Sequence, residues 1–67
     1  MELAKKFGRN VRRVRHDRQL SLEALAHEVE LSYSYLGEIE RGRRNPSLLV
    51  VERLAAALRT DPVELLR

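Results

Sequence analysis

Between Ser21 and Gly42 the chain reads SLEALAHEVELSYSYLGEIERG, and no other stretch constrains the fold as tightly. Leu22, Leu25, Ala26 and Val29 recur at helical spacing and form one apolar face. Ser21 precedes them as an N-cap whose hydroxyl accepts a backbone N–H. Glu23 falls in the first turn, where the helix dipole favours an acid. This helix is expected to end near Glu30. Ser32 is the next N-cap, and a second helix is expected from Tyr33 to Arg41, stopped at Gly42, which takes left-handed angles readily. Tyr35, Leu36 and Ile39 share one side of that helix. Ser34, Gly37, Glu38 and Arg41 share the other, and Tyr33 sits at its exposed start. The stretch therefore reads as two short helices joined by a tight turn without glycine, the second with a polar face turned away from the core.

The flanking residues are helical as well. Leu3, Phe7, Val11 and Val14 fall at i, i+4, i+8 and i+11 and predict a helix over 3–18, with Arg9, Arg12 and Arg13 off its apolar stripe. Gly8 weakens that helix by about 1 kcal/mol against alanine. Proline pushes the residue before it to extended angles, so Asn45-Pro46 interrupts the helical pattern. Ser47 then caps a fourth helix whose core face is Leu48, Val51, Leu54, Ala55 and Leu58. In Asp61-Pro62-Val63-Glu64, Asp61 caps, Pro62 suits the first helical position and Glu64 reaches back to the cap. A short fifth helix is expected to run to about Leu66. No strand-like alternation, repeat or linker interrupts the series. The expected architecture is all-α: one compact five-helix domain over residues 1–67.

Composition limits the chemistry. A chain of 67 residues buries only about 60% of its unfolded surface, so its stability is marginal. With no cysteine there is no disulfide, thiolate zinc site or cysteine nucleophile, which fits a reducing compartment. No apolar run approaches the roughly 20 residues that span a membrane, and no signal peptide is visible, so the expected location is the cytoplasm. The net charge of +3 is unevenly placed. Residues 1–18 hold seven Lys/Arg against Glu2 and Asp17, residues 19–40 hold five Glu and no Lys or Arg, and Arg41, Arg43 and Arg44 follow. Two basic blocks around an acidic middle imply a one-sided positive surface, if the fold brings them together, or else ordinary surface scatter.

Several residue groups in order carry a resemblance. They are Leu20-Ser21, Leu25-Ala26, Leu31-Ser32, Tyr35-Leu36, Ile39-Glu40-Arg41-Gly42, Arg44-Asn45-Pro46-Ser47 and Leu54-Ala55. Over roughly residues 5–66 the chain resembles the DNA-binding domain of the phage repressor and Cro family of helix-turn-helix regulators. Its small size also resembles the controller proteins of restriction–modification systems. The resemblance implies that the helix from Tyr33 lies in the DNA major groove. It also implies that Glu40 makes a partly buried pair with Arg15 of the first helix, a structural contact. In that family the first position of the second helix usually carries a glutamine that braces a phosphate. Here Leu22 stands there, which puts one polar phosphate contact in doubt.

N-terminal residues of a recognition helix reach base edges, so Tyr33, Ser34, Gly37 and Glu38 are the candidates for sequence readout. Glu38 suits cytosine N4, a donor; the alternative is a charge that lowers non-specific binding. Gly37 lets the helix lie close to the groove, serves tight helix packing, or is there by drift alone. Arg9, Arg12, Arg41, Arg43 and Arg44 are candidates for phosphate contact, because the planar guanidinium matches phosphate oxygens. Tyr35 is mainly core by spacing, with its hydroxyl free to reach a phosphate.

Leu49 and Val50 lie off the fourth helix's stripe, and Leu65 and Leu66 cannot both face inward on a one-turn helix. Exposed apolar groups of this kind mark an interface, and a homodimer on a palindromic site is expected. His16 and His27 each lack a second ligand at metal spacing, so no metal or cofactor is expected. Glu38 and Glu40 lie two apart on different faces, and no nucleophile–base arrangement appears, so no enzyme is expected. Neither a membrane nor a small-molecule ligand is an expected partner.

The expected function is a sequence-specific regulator that occupies double-stranded DNA and blocks or recruits RNA polymerase, with no further ligand-sensing domain. The alternative is a protein-interaction module, antitoxin-like or polymerase-contacting, that uses the Leu49, Val50 and Leu65 face.

Overall fold

In the computed structural model, which describes residues 1–67, five helices follow one another: α1 (Glu2–Asp17), α2 (Leu22–Val29), α3 (Tyr33–Glu40), α4 (Leu48–Ala57) and α5 (Pro62–Leu65). Each helix after α1 begins where a small polar side chain satisfies a free backbone N–H. The Ser21 hydroxyl accepts from Ala24 N, Ser32 from Tyr35 N, Ser47 from Val50 N and the Asp61 carboxylate from Val63 N. Glu64 does not return to its cap; its side chain pairs with Arg67 at 3.5 Å.

The first four helices end alike. The residues after them, Gln19, Glu30, Gly42 and Arg59, have φ of 58°, 60°, 74° and 56°. The next N–H then bonds back five residues, Leu20 to Arg15, Leu31 to Ala26, Arg43 to Glu38 and Thr60 to Ala55, which is the Schellman closure. Three of the four tolerate a side chain because they face solvent. Gly42 cannot, since a Cβ there would stand 2.8 Å from Lys5 Cα.

The core joins Phe7 and Val11 of α1, Leu25, Ala26 and Val29 of α2, Leu36 and Ile39 of α3, and Val51, Leu54, Ala55 and Leu58 after the first turn of α4 with Leu65 of α5. Helix α1 packs on α3 and α5, α2 on α3 and α4, and α4 on α5. Asn10 ties α5 to α1 by donating to the Leu65 carbonyl at 2.9 Å.

Three expectations about apolar residues need correction. Leu3 is half exposed, and Ala4 takes the inward position in the first turn of α1. Leu48 is 84% exposed although it shares a helical face with Val51. Both lie in first turns that overhang the core, beside a shallow apolar groove that also takes in Met1, Phe7, Pro46 and Leu66. Leu65 is fully buried and so is not available to an interface. The one-turn helix faces Leu65 inward, while Leu66, at its end, is half buried.

Gly8 is more than a local weakness. A Cβ at Gly8 would run into the Ile39 carbonyl and stand 2.7 Å from the Glu40 carbonyl. Helix α1 thus touches the last turn of α3 backbone to backbone, and any side chain at position 8 would hold the two apart. Arg15, two turns further along α1, reaches Glu40 with Nε to Oε2 at 2.7 Å and Nη2 to Oε1 at 3.0 Å. Its Nη1 donates to the Leu20 carbonyl at 2.9 Å. This charge-assisted fork fixes α3 against α1 and against the start of α2.

Candidate nucleic-acid interface

Docking Leu36 and Ile39 into the core turns the opposite side of α3 outward. A shallow depression there is lined by Leu22, Tyr33, Ser34, Gly37, Glu38, Arg41 and Arg44. All four candidates for base readout therefore stand on one surface. Tyr33 is 60% exposed and Ser34 is also open to solvent. Gly37 forms the floor, covered by the Arg41 guanidinium and the Leu22 side chain. Leu22 thus seals the flank of α3 with apolar contact, at the place where the resemblance implied a polar brace.

The arginines are not equivalent. Arg41 Nη2 donates to Glu38 Oε2 at 2.7 Å, and Arg43 Nη1 lies 3.7 Å from the same oxygen. The hydrogen bond from Arg41 holds the Glu38 carboxyl below its ordinary range, and the charges of Arg41, Arg43 and Arg44 act in the same direction. Arg44 lies over the half-buried Tyr35 ring, 5.8 Å from its centroid, a cation–π arrangement that steers the guanidinium. Tyr35 is thereby a platform for Arg44 as well as part of the packing around the core.

Arg9 and Arg12 stand exposed on α1 and take part in no ion pair. They lie one turn beyond Lys5 and Gly8, the residues that meet Gly42 and the end of α3. Arg15 stands apart from the outer arginines. The hydrogen bond to Glu40 raises its pKa above the ordinary value, against the opposing effect of burial.

Two features of this surface go beyond the sequence reading. The Glu38–Arg41 pair has the i, i+3 spacing of a helical ion pair, although residue type alone assigns the two to base and phosphate contact separately. The Arg44–Tyr35 stack spans a helix end and a loop, and no spacing rule reveals it. No helix is long and apolar enough to cross a membrane.

The surface can do three things. Exposed guanidinium groups can neutralise phosphates. The N–H groups of Leu22 and Glu23, which have no partner in the chain, can hold an anion at the start of α2. Tyr33, Ser34 and Glu38 can meet base edges.

Comparison with known proteins points the same way. The helix-turn-helix domain pattern matches residues 6–67. An HTH-type transcriptional regulator of Sinorhizobium fredii is 38% identical over 97% of this chain and 84% of its own length. Control protein C.BamHI of Bacillus amyloliquefaciens is 43% identical over 90% of this chain and 75% of its own. The crystal structure of the restriction–modification controller protein C.AhdI from Aeromonas hydrophila superposes with a TM-score of 0.91 at 43% identity, covering 97% of this chain and 98% of that one.

Proposed function

This chain belongs to the helix-turn-helix transcriptional regulators, a family of DNA-binding proteins and not of enzymes, and from that premise we propose that it acts as a homodimer on a two-fold-symmetric operator. The observation that carries the reading is the outward face of α3, where base-reading candidates and arginines share one depression. Helix α3 enters the major groove, with Tyr33, Ser34, Gly37 and Glu38 toward the base edges. Arg43, Arg44, Arg9, Arg12 and the start of α2 hold the flanking phosphates, and Tyr35 supports them through Arg44.

The dimer contact is assigned to the exposed Leu48 and Leu49, with the half-buried Val50 and Leu66 beside them. A monomer gains nothing by presenting two adjacent leucines to water, and a two-fold pair of such faces sets half-sites about 34 Å apart. The similarity to controller proteins supports a regulator that works in the cytoplasm by occupancy of its operator, blocking or recruiting RNA polymerase according to where the operator lies.

Selection of bound sites from a random DNA pool at two salt concentrations tests this reading. A two-fold-symmetric motif is the expected result. Salt-sensitive binding with no enriched motif would show that the arginines hold DNA without reading it. It would favour the rival protein-interaction reading, for which the exposed Leu48–Leu49 face is the supporting observation.

A further inference from the structure

Glu38 is an unusual residue to point at a polyanion. Its side chain is 27% exposed, against 52% for Arg41 and 66% for Arg43. One carboxylate oxygen, Oε2, takes the hydrogen bond from Arg41 and faces Arg43. The other, Oε1, accepts nothing within the chain and is open to solvent. The carboxylate is thus held on one side and free on the other, at the edge of the depression that also holds Ser34 and Gly37. Two arginines beside one carboxylate leave the cluster with a net charge of +1, so Glu38 can approach DNA without repelling it.

Building on the operator reading, we propose that Glu38 is a specificity-determining residue that accepts a hydrogen bond from the exocyclic amino group of a base, and that Arg41 is its positioning residue and not a phosphate contact. In the major groove the amino donors are cytosine N4 and adenine N6, whereas guanine presents O6 and N7 and thymine presents O4, all acceptors. A carboxylate has no proton to offer, so it meets guanine and thymine with unpaired, repelling lone pairs. Adenine carries the N7 acceptor beside its amino group, so cytosine is the better match.

The geometry gives Arg41 a different task from Arg43 and Arg44. Its guanidinium lies across Gly37 and bonds to Glu38, so it faces along α3. Held this way, the carboxylate loses little rotamer freedom when a base arrives, and its charge stays screened. Without Arg41 the same carboxylate is free to turn and is less neutralised.

The test measures binding of the wild-type chain and four variants to operator duplexes carrying each of the four bases at every half-site position. The wild type should favour cytosine over guanine or thymine at one position by about tenfold or more. Glu38→Ala should still bind and lose that preference. Glu38→Gln should shift it toward adenine, since a carboxamide pairs with N6 and N7 together. Arg41→Ala should narrow the cytosine preference, with Arg41→Lys restoring part of it, while circular dichroism reports an unchanged fold. A wild-type preference retained at every position by both Glu38 variants would overturn the assignment. A uniform loss across all sequences in Arg41→Ala, with the preference intact, would return Arg41 to the phosphate contacts. No base preference in the wild type would remove the operator reading itself and this inference with it.

Discussion

The two sides of α3 use the same residue types for opposite ends. On the inner side, Glu40 pairs with Arg15 at 2.7 Å and Gly8 lets the two helices meet. On the outer side, Glu38 pairs with Arg41, also at 2.7 Å, and Gly37 lies beneath that pair. The inner pair is nearly closed to water, with side-chain exposures of 10% and 6%. It makes every hydrogen bond of its carboxylate within the chain, and its glycine is required by backbone atoms 31 positions away. The outer pair leaves a carboxylate oxygen free. Its glycine is required by nothing in the fold, because a Cβ at Gly37 would meet Arg41 at 3.4 Å and Leu22 at 3.7 Å, ordinary contact. A mid-helix glycine costs about 1 kcal/mol against alanine. The inner side therefore specifies the fold, and the outer side gives up stability to keep a surface available.

The comparison breaks most visibly at the carboxylates. Glu40→Ala leaves the Arg15 charge buried without a partner, and about 3–5 kcal/mol of stability should be lost. In a domain this small that removes most of the folded population at moderate temperature, as urea unfolding would show. Glu38→Ala, in the same assay, should move the unfolding midpoint far less, since its pair with Arg41 is open to water. Equal losses in the two variants would mean that both pairs are structural.

The glycines sharpen it. Gly8→Ala forces α1 away from the carbonyls of Ile39 and Glu40, and about 1–3 kcal/mol should be lost. Gly37→Ala should act in the other direction, adding about 1 kcal/mol through helix propensity. The same substitution should weaken operator binding, since the added methyl comes up beneath the Arg41 guanidinium, 3.4 Å away, and disturbs its hold on Glu38. Thermal melting and operator titration of one preparation would check both signs.

The smallest effect concerns protonation. Glu38 has its carboxyl pKa lowered in the folded chain, chiefly by the hydrogen bond from Arg41. A lowered folded value means that the pairing contributes fully above the ordinary carboxylate range and is lost as pH falls through the depressed value. A carbon-detected NMR titration should find Glu38 protonating below the usual glutamate range, and Arg41→Ala should move it back up. A titration unchanged by that substitution would separate the two side chains.

Helix starts were legible because each depends on a local signal. Ser21, Ser32, Ser47 and Asp61 all accept the backbone N–H that their positions predict. The expected helix ends near residues 18, 30, 41 and 66 lie within one residue of the observed ones, but the left-handed closures at Gln19, Glu30 and Arg59 carry no glycine signal. Periodicity identifies the inward faces of α1 and α4 but not where the core stops, so Leu3 and Leu48 share those faces yet stand outside it, and the single turn of α5 is too short for periodicity to show that Leu65 is the inward residue. Gly8 read as a weakness because its reason lies in α3, beyond any local pattern. On the outer face, spacing puts Tyr33, Ser34, Gly37 and Glu38 on one side of α3, where the structure also has them, while the pairing of Glu38 with Arg41 and Arg43 depends on side-chain directions that spacing does not carry.

The most direct test of this division is to follow backbone amides by NMR as the selected operator duplex is added. Shifts should concentrate at Leu22, Tyr33, Ser34, Gly37, Glu38 and Arg41 to Arg44, with Leu36, Ile39 and the residues of α5 little changed. Shifts confined to α4 and α5, with the outer face of α3 unmoved, would contradict the account.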